Sequence, residues 1–256
     1  MKAHSYLPAS WVKKPANVTA ITTLISGGVS TGDFAEYNLA THVGDNAAAV
    51  KTNREKLVVD LKLQSEPVWL EQVHSNKVIC IDAEMAMNLI NGVMLAPFIA
   101  DASVTTEKNV VCAVLTADCL PVFFCNNVGT EVAVAHAGWR GLHAGIISNT
   151  INAMKSSVDE IQVSFGPAIR SQVFEVGEEV FSAFMEKNAA NEAAFVATEK
   201  GHYLCDIYHI ARIELKLAGI VSVAGGNACT FSENQQFYSY RRQQNTGRMA
   251  SLIWLK

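Results

Sequence analysis

At 256 residues, half of them hydrophobic, the chain is long enough to bury a substantial core. Its formal net charge of -4 at pH 7 gives no broad electrostatic footprint for nucleic acid or an anionic membrane. The opening MKAHSYLP lacks the apolar stretch of a secretory signal. The longest strongly apolar stretch, 110–125, is interrupted by Asp118 and is too short to span a bilayer, so a soluble cytoplasmic protein is expected.

Residues 18–25 are rich in β-branched side chains and predict a strand. Asp45 or Asn46 can cap a helix over 47–61, where Val50, Leu57, Val58 and Leu61 share a face. Strands then crowd together over 68–73, 77–81, 102–105, 110–115, 122–125 and 132–135. A helix is expected over 142–154, a strand over 161–165, and helices over 177–186 and 206–217. The tail, 237–241 and 249–255, reads as a closing strand pair. No linker, charge run or repeat divides the chain, so a single domain over 1–256 is expected. Runs of strands between separated helices favour α+β, with mixed β-sheets, over a doubly wound parallel fold.

Three segments carry the chemistry: EQVHS (71–75), TADCLP (116–121) and AHAGWRG (135–141). Each places one strong ligand or nucleophile, His74, Cys119 or His136, beside an apolar run. A thiolate and two imidazoles on rigid elements can hold one transition-metal ion and leave a coordination position open for chemistry. Asp118, next to Cys119, reads either as an orienting partner for a histidine or as a turn residue. Of the six cysteines, Cys80, Cys112, Cys125 and Cys205 read as small buried side chains, while Cys229 is ambiguous.

The same atoms support a metal-free alternative, in which Cys119 is a nucleophile activated by His136 or His74. Two histidines of equal prominence favour coordination, because a dyad needs only one. The GVSTG run at 28–32 matches a nucleophile elbow in letters, but no helical pattern follows it, so Ser30 reads as part of a glycine-rich turn. With seven histidines and no HxH pair, the chain is poorly suited to a trinuclear copper centre. Zinc with an open position acts as a Lewis acid and activates water near neutral pH, and attack of such water at C6 of adenine is deamination.

PVWLEQVH (67–74), TADCLPV (116–122) and AHAGWRG (135–141) resemble the three signatures of the YfiH-like family. That family is variously called multicopper polyphenol oxidase, laccase domain protein and purine nucleoside phosphorylase. GGVS (27–30), NLATHVGD (38–45), GPAI (166–169) and YSYRR…TGRMAS (238–251) are similar too, so the likeness runs from about residue 20 onward. It implies an α+β domain with mixed sheets between helices, and a catalytic zinc on His74, Cys119 and His136, with copper as the alternative ion. It further implies phosphorolysis of adenosine, inosine and methylthioadenosine, with adenosine deamination as a second activity. Copper-dependent phenol oxidation and a role in peptidoglycan fidelity have also been credited to members. One departure stands out: the family usually carries an arginine two residues before GGVS, where this chain has Ile25.

The expected protein is a cytoplasmic zinc-dependent purine nucleoside phosphorylase with deaminase capacity. Cys119, His74, His136 and Asp118 are its expected catalytic residues, and purine nucleoside and phosphate its ligands. Arg54, Arg140, Arg241 and Asn38 form the expected substrate-binding set, since a planar guanidinium suits phosphate. The rivals are a Cys119-dependent amide hydrolase acting on cell-wall precursors, a copper-dependent polyphenol oxidase, and a non-catalytic metal-binding or interaction protein. A homodimer is a generic expectation.

Overall fold

The computed structural model describes residues 5–93 and 98–256. In chain order its elements begin with β1 (Tyr6–Pro8), β2 (Val18–Thr23), α1 (Ala47–Leu61), β3 (Leu70–Glu71), β4 (Val78–Ile81) and α2 (Ala83–Ile90). Then come β5 (Phe98–Ile99), β6 (Ala102–Thr105), β7 (Val111–Thr116), β8 (Leu120–Asn126), β9 (Val132–Ala137), α3 (Trp139–Ala144) and α4 (Ile146–Ala153). The rest are β10 (Ile161–Phe165), β11 (Glu175–Gly177), α5 (Glu178–Lys187), β12 (Phe195–Ala197), β13 (His202–Cys205), α6 (Ile207–Leu217), β14 (Ser222–Gly225) and β15 (Met249–Leu255).

Two sheets stack face to face. One has the order β1-β2-β15-β7 and the other β14-β10-β8-β9-β6-β4, with parallel and antiparallel pairs mixed in the second. Cys112 and Val114 from β7, Ile253 and Leu255 from β15, and Phe123, Cys125, Val132 and Val134 from the second sheet fill the space between them. The alternate residues of β7 and β15, Val111, Ala113, Leu115, Ala250 and Leu252, pack instead on Leu57 of α1, Tyr37 and Leu39. The second sheet turns Val122, Phe124, Ala133 and Ala135 toward α4 and α6. The result is helix, sheet, sheet, helices: an α+β fold as expected. Because both faces of β7, β8 and β9 are buried, these strands read as continuous apolar runs rather than alternating ones.

Asn46, not Asp45, caps α1, its side chain accepting from the N–H groups of Ala48 and Ala49. Within α1, Asn53 joins Val50 and Leu57 on the buried side. Its amide donates to Ser30 Oγ and to the carbonyls of Glu36 and Asn38, and so pins the loop before the helix. Ser30 also donates to Asp45 at 2.6 Å and is 4 % exposed, which makes it an anchor of that loop.

Several sequence expectations need correction. Residues 68–73 form only the two-residue strand β3 and a single bridge from Val68 to Cys112, because the Gln72 side chain bonds both backbone groups of Leu115 in place of a ladder. The 142–154 helix is two helices, α3 and α4, divided at Gly145, whose φ of 90° closes one and opens the other. Residues 237–241 are irregular chain and turn rather than strand, and β15 pairs with β2 and β7 instead. Neither α2 nor the small sheet β11-β13-β12 was expected. Cys80 is exposed, because β4 is the edge strand of its sheet, whereas Cys112, Cys125, Cys205 and Cys229 are buried. Among the described residues, no helix is long and apolar enough to cross a membrane.

Candidate metal centre and substrate cleft

The chain crosses from one sheet to the other between β7 and β8, and Cys119 sits at that crossing, immediately before β8 begins. Asp118 makes the crossing possible with a φ of 91°. The cost of that left-handed backbone is offset by three bonds to its buried carboxylate, from Thr230 Oγ1 (2.6 Å), Ser239 Oγ (3.0 Å) and the Arg241 N–H (2.7 Å). Asp118 is therefore committed to the C-terminal loop, in keeping with the turn-residue alternative of the two the sequence left open.

His136 lies within β9 opposite Pro121 of β8, so the ladder places it beside Cys119. His74 reaches the same point from a turn with a φ of 59° after β3. The ligand atoms of His74, Cys119 and His136 all lie within 4.8 Å of one another, with Cys119 Sγ 4.0 Å from His74 Nε2. Donors of a tetrahedral zinc lie about 3.5 Å apart, so these three would have to draw together by up to about 1 Å to ligate such an ion. Gly138 lets them converge: a Cβ there would stand 2.9 Å from Cys119 Sγ and 3.2 Å from His74 Cδ2. The sequence brought these three residues together correctly.

Asp101, which the sequence reading missed, organises the cluster. Its carboxylate, fully buried, accepts from His136 Nδ1 (2.8 Å), the His74 N–H (3.0 Å), the Ser75 N–H (2.6 Å) and Ser75 Oγ (2.7 Å). It therefore orients one imidazole and holds the turn that presents the other, leaving His136 Nε2 for the cluster. Burial opposes ionisation of Asp101, but the bonds from His136 and Ser75 hold its pKa below the ordinary value. Burial likewise opposes ionisation of Cys119, yet the charge and hydrogen bond of His136, then those of His74, pull the thiol down to about 6. His136 is drawn up to about 9 against its burial by Cys119 and Asp101. Cys112 and Cys125 are instead pushed up to about 12 by burial. Of these four cysteine and histidine groups, only the clustered pair is poised as thiolate and imidazolium.

The cluster opens onto a cleft of about 450 Å³. Trp139, Phe174, Ile169 and Ile207 form one end of its lining, all belonging to or packed on the core beneath α4 and α6. His42, Gln72 and Leu115 form the other end, and they also line an adjoining cavity of about 920 Å³. Arg140 and Arg241 line the cleft and stack over Trp139 (4.2 Å) and Phe174 (5.4 Å). Arg54 lines the second cavity, stacked 4.2 Å over Trp69. Asn38 lines neither: it is fully buried, and its side chain bonds the Ala40 backbone, Asp45 and the Arg248 N–H. It helps to hold the Arg248 backbone beside the cleft. Ile25 packs on the Phe237, Tyr238 and Met249 cluster as an apolar core residue. Arg248, one of the arginines the sequence offers for an anionic substrate, also lines the cleft, whereas His42, Tyr240 and Trp139 are cleft residues that the sequence did not single out as binding groups. All three lie in the quoted motifs, the one signal that could have found them.

A buried histidine, a cysteine and a second histidine gather at one cleft of a stacked-sheet α+β fold, a donor set that could hold a metal ion. The chain belongs to the family described as Multi-copper polyphenol oxidoreductase laccase, which it matches over residues 19–256. It is 46% identical over 242 residues to "Purine nucleoside phosphorylase YfiH" of Escherichia coli, covering 94% of this chain and 96% of that protein. It is 43% identical over 254 residues to "Purine nucleoside phosphorylase PA4543" of Pseudomonas aeruginosa, covering 99% of both. The crystal structure of NMB0706 from Neisseria meningitidis superposes with a TM-score of 0.91 at 46% identity, over 99% of this chain and 100% of that one. That of YfiH from Bacillus licheniformis gives 0.90 at 29% identity, over 100% and 98%.

Proposed function

We propose that this protein is a zinc-dependent purine nucleoside phosphorylase with adenosine deaminase capacity. The observation that carries it is the His74–Cys119–His136 cluster, oriented by Asp101, at the floor of a cleft walled by aromatic and cationic side chains. The relatives named as purine nucleoside phosphorylases share that full length. His74, Cys119 and His136 would hold the zinc, which supplies Lewis acidity near neutral pH. Trp139 and Phe174 offer faces against which a purine can stack, and the cleft volume falls within the range of small-molecule sites. In phosphorolysis of inosine, an oxygen of hydrogen phosphate bonds C1′ as the C1′–N9 bond breaks. The electron pair goes to the base, and the proton carried by the phosphate balances its release as hypoxanthine. Cationic side chains in the cleft hold the incoming anion and offset charge as it develops.

Among the described residues, one three-donor cluster is present and no methionine lines its cleft, which gives no support to multicopper chemistry or to a blue-copper site. The six free cysteines suit a reducing compartment such as the cytoplasm.

A second reading draws on the Cys119–His136–Asp101 chain of contacts, which also describes an activated thiolate nucleophile acting on an amide. Metal analysis and mass spectrometry separate the two. The purified protein is expected to carry close to one zinc per chain and to form hypoxanthine and ribose 1-phosphate from inosine and phosphate. Cys119→Ala should lose metal and activity while circular dichroism is unchanged. Full activity after chelation, or an adduct on Cys119 that forms and decays at the turnover rate, would replace the metal reading with the nucleophile.

A further inference from the structure

Two arginines and an imidazole line the spaces where the cleft and the larger cavity adjoin. His42, exposed, lines both spaces, Arg248 lines the cleft and Arg54 the larger cavity. Both arginines are fixed by backbone carbonyls. Arg54 Nε donates to Leu39 O (2.9 Å) beneath its stack on Trp69, and Arg248 Nη1 donates to the carbonyls of Thr246 (2.7 Å) and Gly247 (3.0 Å). Among the described residues, both terminal nitrogens of Arg54, and Nε and Nη2 of Arg248, take no protein acceptor. Each is thus a held guanidinium fork with donors to spare, the arrangement that binds a planar or tetrahedral oxyanion with least loss of freedom.

The neighbouring acids do not quench this charge. Asp118 spends its carboxylate on Thr230, Ser239 and Arg241, and Glu66, which faces Arg54, is solvent-exposed. His42 feels the imbalance: desolvation, then the charges of Arg248 and Arg54, lower its pKa. Arg248 in turn lies within the field of Cys119, so an anion beside it stands next to the ligand cluster. The cleft also carries aromatic lining, with Trp139 and Phe174, and Tyr240 lies 5.8 Å beneath Arg248. Arg140 and Arg241 lie over the Trp139 and Phe174 rings.

We propose that His42, Arg54 and Arg248 form an oxyanion subsite for a phosphate dianion at the junction of the two cavities, with the purine against Trp139 and Phe174 and the reacting sugar between them over the cluster. The source of the dianion, inorganic phosphate, rests on the phosphorylase reading above. A phosphoryl group carried by a nucleoside monophosphate presents the same chemistry.

The test pairs kinetics with direct binding on the full-length zinc protein. Arg248→Lys and His42→Gln should each raise the KM for phosphate roughly ten- to a hundredfold, the loss of about one charge-assisted contact, while the KM for inosine changes by less than threefold. Equilibrium dialysis with radiolabelled phosphate, and separately with labelled inosine monophosphate, reads the site without turnover. Because Arg248 also holds the 246–247 carbonyls, His42→Gln serves as the variant that leaves the backbone bonds intact. Phosphate retention at natural affinity in both variants would overturn the subsite. If the natural protein cleaves inosine without needing phosphate, the phosphorylase reading fails. The subsite then stands only if the monophosphate binds and the two variants abolish that binding, and falls otherwise.

Discussion

A single carboxylate, Asp101, fixes two of the three clustered side chains. It spends one oxygen on His136 and the His74 N–H and the other on Ser75 and the Val73 N–H. Asp101→Asn keeps the size but replaces one acceptor with an NH2 group, which must face a donor. Metal affinity should fall about ten- to a hundredfold, as for other outer partners of ligating histidines. Competition against a chromophoric chelator checks it, and an unchanged affinity would show that the histidines hold their positions unaided. His74, Cys119 and His136 were legible in the sequence because each is an uncommon reactive side chain beside an apolar run. Asp101 and His42 were not, since an aspartate before a strand or a histidine in a polar loop looks like any turn residue until distant segments are brought to it.

The loop from Ala228 to Arg248 is the element that closes the cleft, and it hangs on Asp118. Thr230 and Ser239, both fully buried, and the Arg241 N–H all spend their donors on that carboxylate. Arg242 reinforces the loop by donating to the carbonyls of Thr230, Phe231 and Phe237. Asp118→Ala would strand those three donors and place alanine at a φ of 91°, at a cost of about 3 kcal/mol or more. Lower thermal stability and faster limited proteolysis near residues 240–245 are the expected results, with cleft residues Tyr240 and Arg241 released. Full resistance to protease would move the anchor elsewhere. This loop also shows why element prediction failed where it did. Residues 237–241 have strand-like composition, but their backbone is occupied by side-chain anchors rather than by a neighbouring strand. Residues 68–73 fail for the same reason, through Gln72. Where the chain pairs regularly, as in β6 to β10, burial on both faces made the strands plain.

At the scale of the molecule, the two sheets share one interior, and the cluster sits where the chain passes between them. The sheet order β1-β2-β15-β7 puts the last strand in chain order between the second and the seventh. Residues 249–255 bond to β2 on one side and β7 on the other, from Met249 opposite Thr116 to Leu255 opposite Val18. During synthesis, then, β2 and β7 emerge with a gap between them that nothing earlier in the chain fills. His74, Cys119 and His136 are all translated more than a hundred residues before the strand that braces β7 behind them. Long-range pairings of this kind form late. Chains stalled on the ribosome with residue 245 just outside the tunnel should therefore be digested readily by protease and take up little zinc. Chains stalled after residue 256 has emerged should resist. Equal protection of both would mean that the second sheet and its helices hold the centre alone. If the order of events is as the topology dictates, the protein cannot become a metal trap while it is still half made.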